Sequence, residues 1–225
     1  MKRFLYFGAI LLGVVAFTQM AAAQMGMRMR GPSVQGVWAP VVGTGAVYQT
    51  ENQREGKREM EMTIVGAETS EGKPGHWLEM SFKGPEGGQM VMRQLMALNN
   101  KQMQVLRMVF QQGDDEPLEM SMEMMGMMGQ MGQQRKPETA DIREDAERVG
   151  VESVTVPGGT FECEHWRSKD KSSDFWISSK VAPLGIVKMI SKDESMTLLR
   201  VVTNAKTKIR GTPRKFDPAE MMRRP

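Results

Sequence analysis

The residues that could do chemistry are few. Cys163, the single cysteine, stands two positions before His165 in the stretch VTVPGGTFECEHWRSKDKSSDFWISSKVAPLGIVK, residues 154–188. Side chains two apart on a strand face the same way, so joint metal ligation or a thiolate–imidazole pair is geometrically open. A blue-copper set needs wider spacing, and the next methionine after the pair is Met189. A catalytic thiolate needs a base and a group that orients it, and His165 is the sole nearby base. The spacing therefore favours Cys163 as a buried thiol behaving like a small apolar residue. The sequence holds no Gly-x-Ser-x-Gly, His-Glu-x-x-His, phosphate loop or Cys-x-x-Cys. No catalytic residue is nominated, and the expectation is a protein that is not an enzyme and carries no cofactor.

Methionine is the second chemical oddity, at 24 residues against 8 phenylalanines. Seven thioethers fall between Met120 and Met131. Soft sulfur ligands suit Cu(I), and Met120, Met124, Met127, Met128 and Met131 would share one helical face. Met25, Met27 and Met29 would add to such a site. Gly126, Gly129 and Gly132 oppose a stable helix there, each costing about 1 kcal/mol relative to alanine. The spacing predicts a marginal helix or a flexible flap over residues 118–134, with copper as the alternative use of it.

These groups must be carried by strands. From Ala46 to Phe110 the apolar period is two: Met60, Met62 and Ile64, then Leu78, Met80 and Phe82, then Leu106, Met108 and Phe110. Turn signals separate them at 71–75, 84–88 and 99–100. Carboxylates alternate with the apolar residues and are expected on a solvated face. The second half predicts strands over 151–156, 160–167, 174–178, 186–191 and 196–203, with a corner at Val181–Gly185 because proline cannot sit inside a central strand. Residues 136–150 read as a linker or short helix. The total predicts a mainly β chain of eight to eleven strands, one curved antiparallel sheet, incompletely closed into a half-barrel with few short helices.

The N-terminus sets the compartment. Lys2 and Arg3 precede an apolar run, Phe4 to Phe17, and Ala21-Ala22-Ala23 supplies a cleavage site. Residues 1–23 read as a signal peptide, since the run is short of the roughly 20 residues that span a bilayer. Residues 24–33 then form a flexible arm, 34–210 the β half-barrel with its methionine flap, and 211–225 a basic tail. The expected location is periplasmic or secreted, with no integral membrane span after signal cleavage. The small net charge, +3 before cleavage, gives no footprint for nucleic acid.

Val156-Pro157-Gly158-Gly159-Thr160-Phe161-Glu162-Cys163, Trp176-Ile177-Ser178 and Val181-Ala182-Pro183-Leu184-Gly185-Ile186-Val187-Lys188 resemble a motif of uncharacterised bacterial envelope proteins. Trp77-Leu78-Glu79 and Pro117-Leu118-Glu119-Met120 fit the same pattern. That group resembles the LolA/LolB-like superfamily of periplasmic lipoprotein carriers. The resemblance implies a curved, incompletely closed antiparallel sheet whose concave face holds acyl chains or other apolar ligands. It hands over no individual lipid contact.

The residues themselves offer such a face. Met60, Met62, Leu78, Met80, Phe82, Leu106, Met108, Phe110 and Phe161 would point to one side of the sheet, as an ordinary core or as a ligand-binding wall. Methionine suits a wall that accepts several shapes, because its unbranched thioether repacks cheaply. The expected partner is an apolar small molecule, a lipid or a lipoprotein. An envelope assembly factor that docks another protein on the same face is a further alternative.

Overall fold

Among the described residues, twelve strands form one sheet, most of them from runs with alternating apolar residues. The computed structural model describes residues 36–53, 56–84, 87–120 and 139–216. The chain divides into two units, Met1–Val34 and Gln35–Pro225, and these residues all belong to the second. In chain order the strands are β1 (Thr44–Asn52), β2 (Gly56–Ser70), β3 (Lys73–Lys83), β4 (Gln89–Asn99), β5 (Gln102–Gln112), β6 (Leu118–Met120), β7 (Ala146–Val156), β8 (Gly159–Ser168), β9 (Ser173–Ile177), β10 (Ile186–Ser191), β11 (Glu194–Thr203) and β12 (Arg214–Lys215). Their order across the sheet is β12-β6-β5-β4-β3-β2-β1-β11-β10-β9-β8-β7. Two antiparallel meanders, β1–β6 and β7–β11, therefore meet at a seam where β1 pairs with β11. The sheet is mainly β and not closed. Among the described residues the only helical element is a 3-10 turn at Ile142–Asp145, capped by the Asp141 carboxylate accepting from the Arg143 N–H at 2.9 Å.

Tight turns fix the register. Glu71 and Gly72 take φ of 50° and 75°, and Asn100 and Lys101 take 47° and 64°. Two central residues with positive φ match the right-handed twist of flanking strands, which is why two-residue hairpins use them. At the seam Gly45 admits no side chain, because a Cβ there would collide with the Met62 carbonyl oxygen.

Residues 36–39 are clamped between two loops. Val37 and Ala39 donate to the Leu184 and Pro183 carbonyls, both at 2.8 Å, and Trp38 donates to Ala140 at 2.7 Å. The Pro-Leu-Gly corner closes on itself, with Gly185 N–H donating to Val181 at 2.7 Å and the Ala182–Pro183 peptide cis.

Three expectations fail here. Twelve strands form among the described residues where eight to eleven were expected, because the short β6 and β12 carry no alternation of their own. Ala146 to Gly150, read as linker or short helix, is the start of β7. This edge strand is mostly exposed and lacks an apolar face, so its stability comes from the ladder with β8. Carboxylates were expected on a solvated face, yet Glu79 is 1% exposed.

Candidate functional site

Register pairing carries one face across the first meander. One rung runs Ala46, Met62, Met80, Met92, Phe110, Leu118. A second runs Tyr48, Met60, Phe82, Met90, Gln112, and a third runs Ile64, Leu78, Gln94, Met108, Met120. Burial falls along these rungs. Met60, Met62, Ile64, Leu78 and Met80 are all within 7% of full burial. Phe82, Met90, Met92, Met108, Phe110, Leu118 and Met120 are only half-buried. The face is thus packed core at β1–β3 and a partly open apolar strip at β4–β6.

Of the nine wall residues expected from sequence, seven share this face. Leu106 does not. The β4–β5 register skips between Leu95 and Met96, and the resulting bulge turns Leu106 to the other side, with Trp77 and Leu95. Phe161 lies on β8 opposite Val154, where Trp166 rather than Phe161 continues the face through Phe175, Met189 and Met196. Met90 and Met92 were missed, because the apolar Val91 between them, buried on the reverse face, hides the alternation.

The reverse face of the first meander is also apolar. Trp77, Val91, Leu95, Ala97, Leu106, Val109 and Ile209 form a buried cluster. Ile209 comes from residues 204–213, which cross this face as a strap. Glu79 holds the strap with both oxygens: the Thr207 hydroxyl donates at 2.5 Å and the Lys208 N–H at 2.8 Å. Gln111 does the same one step on, accepting from the Arg210 N–H at 2.8 Å and donating to the Arg210 carbonyl at 3.0 Å. Beyond the strap, β12 runs parallel to β6, so order continues into the expected basic tail.

Ion pairs frame the cluster. Arg107 binds Glu119 at 2.6 Å and Glu68 at 2.6 Å, and that guanidinium holds the Glu119 carboxyl below the usual range. The Arg93 guanidinium lies 4.6 Å from the Trp77 ring centre, and burial lowers its pKa. Beside the strap opens a groove of about 930 Å³, lined by Lys57, Arg58, Glu59, Glu61, Ser81, Phe82, Lys83, Arg200 and Lys208, among others.

The Cys163–His165 pair does not form a site. Cys163 is buried, and burial together with the nearby Glu152 charge pushes its thiol up to about 11. Both nitrogens of His165 face carboxylates, Asp174 at 2.7 Å and Glu152 at 3.2 Å. Its ring stacks on Trp176, with centroids 4.5 Å apart, and Lys188 covers Trp176 at 5.1 Å. This is a cross-strand ladder over β7–β10 that uses polar groups as pairs. No group of three or more His, Cys, Asp or Glu among the described residues could hold a metal ion. Met124, Met127, Met128 and Met131, with the copper reading they carry, lie outside the described residues, and Met120 alone of that set stands on β6. No described helix is long and apolar enough to cross a membrane.

No family model and no curated protein matches the chain. Solved structures similar to it include a "putative lipoprotein" from Parabacteroides distasonis and a "putative exported protein with YmcC-like fold" from Bacteroides fragilis. Each has 12% sequence identity and a TM-score of 0.33, over 75% of this chain and 99% of the other.

Proposed function

We propose that this chain is a non-enzymatic envelope protein that holds an acyl chain or similar apolar ligand against the methionine strip of β4–β6. The carrying observation is the burial gradient along the rungs, from Met62 at 0% to the half-buried Met92, Phe110 and Leu118. An ordinary core would be buried along its whole length. An apolar strip left partly in water forgoes burial worth roughly 1.5–3 kcal/mol per large side chain, and a ligand laid on it recovers that. Thioethers adapt to ligands of different shape without strained rotamers.

The signal-peptide pattern at residues 1–23 supports an envelope location, and the Val154–Lys188 motif supports kinship with LolA/LolB-like carriers. The state of His165 supports a non-enzymatic role, since its nitrogens are engaged by Glu152 and Asp174 instead of the thiol.

Native mass spectrometry of protein purified from the envelope, with titration of a fluorescent acyl probe, tests the proposal. A co-purified lipid and a saturable fluorescence rise are expected, with the rise weakened by Met92→Gln and Met108→Gln together. Absence of both lipid and fluorescence change overturns it.

A further inference from the structure

We infer that the ligand of the methionine strip carries an amide group on its acyl chain, and that Gln94 is the residue that recognises it. The inference rests on the acyl-binding reading and names the polar group of that ligand.

Gln94 stands inside the apolar face. Its cross-strand neighbours are Leu78 on β3 and Met108 on β5, and two positions away along β4 stand Met92 and Met96. Arg93 and Leu95, on either side of it in the chain, belong to the reverse face, where both meet Trp77. Gln94 therefore faces the methionines, and its Nε2 lies 3.8 Å from Met92 Sδ.

This amide is poorly satisfied by the fold. Among the described residues the Met92 thioether is its one hydrogen-bond partner. A primary amide has two N–H donors and an oxygen that accepts twice, while a thioether is a weak acceptor. Gln94 is half-buried, so solvent reaches the rest while the strip is open. A hydrocarbon laid across this rung would expel that solvent and leave the oxygen without a donor. A buried amide without a partner is costly. The rung thus disfavours a plain hydrocarbon and favours a ligand that brings a donor and an acceptor together. A secondary amide does so: its C=O accepts from Gln94 Nε2, and its N–H donates to Gln94 Oε1. An ester supplies the acceptor alone.

The place of Gln94 sets the direction of the tail. On this face of β4 the half-buried run is Met90, Met92 and Gln94, and it closes at Met96, which is 6% exposed. From Gln94 back to Met90 is roughly 14 Å of strand. The ligand's amide lies at the closed end, and a tail of about that length runs over Met92 and Met90, flanked by Phe110 and Phe82.

The test loads the full chain with dansyl-undecanoic acid and displaces it with three competitors of equal tail: N-methyldecanamide, N,N-dimethyldecanamide and methyl decanoate. On the unmodified chain the secondary amide is expected to act at a concentration on the order of tenfold lower than the other two, which lack the N–H. Gln94→Met keeps the size of the side chain and matches its neighbours. There the order should invert, with the ester the strongest competitor, because the amide's groups have lost their partner. Equal displacement by all three on the unmodified chain overturns the inference and leaves the acyl reading standing, and this arm decides alone should the variant not fold. A Gln94→Met chain that binds all three more tightly in an unchanged order overturns it too, since Gln94 is then only a wetted side chain. Failure of the probe and of every competitor to bind overturns both readings.

Discussion

The two meanders solve one problem differently. A single sheet has two faces, and each must be covered or made tolerant of water. In β1–β6 both faces are apolar, and a strap from the other end of the chain covers the reverse one. In β7–β10 the reverse face carries Glu152, His165, Trp176 and Lys188, paired across strands and left partly wet. A covered face needs extra chain and offers buried anchors such as Glu79. A laddered face needs none, at the cost of weaker pairs.

The largest effect should come from the core end of the first meander. Met62→Ala should cost about 2–5 kcal/mol in urea unfolding, while Met108→Ala, on the half-buried strip, should cost less than half of that. Equal costs would erase the gradient on which the ligand strip depends.

Next is the strap. Glu79→Ala should destabilise by about 3 kcal/mol, because two hydrogen bonds to a charged group are lost inside the fold. Thr207→Val should add little to that loss in a double-mutant cycle, since both changes break one contact. Full additivity would mean that the strap is not held through Glu79.

The thiol gives a pH signature. Its folded value is about 11 against an ordinary 9.0, so the folded chain binds the extra proton between them. The stability linked to Cys163 is present below pH 9 and lost as pH rises through 11. Cys163→Ala should flatten that part of the stability profile. An unchanged slope would place the thiol in water. The smallest effect belongs to the ladder: His165→Ala should cost about 1 kcal/mol and shift Trp176 fluorescence. A loss as large as that at Met62 would make the two meanders alike.

Much of the sheet was legible. The Met60–Ile64 and Leu78–Phe82 alternations define β2 and β3, and the turn residues Glu71-Gly72 and Asn99-Asn100 mark the β2–β3 and β4–β5 hairpins. What was hidden depends on contacts between distant residues. Nothing local marks Leu106 as a bulge. Glu79 reads as solvated until Thr207 and Lys208 are brought to it. Ala146 to Gly150 has no apolar rhythm because an edge strand needs none. The charge of the groove was equally invisible, since Lys57, Lys83, Arg200 and Lys208 come from four places in the sequence.

The seam has a consequence in time. Thr44 pairs with Thr203, so β1 has β2 as its sole partner until nearly the whole chain is available. Each meander zips up from neighbouring hairpins, whereas their union closes a loop of most of the chain, and such closures are slow steps. Until then the β1 edge stands open to any strand that meets it. The residues made immediately after β11 are those of the strap. That segment thus crosses from the second meander to the first and ties β11 to Glu79 and Gln111 on the reverse face.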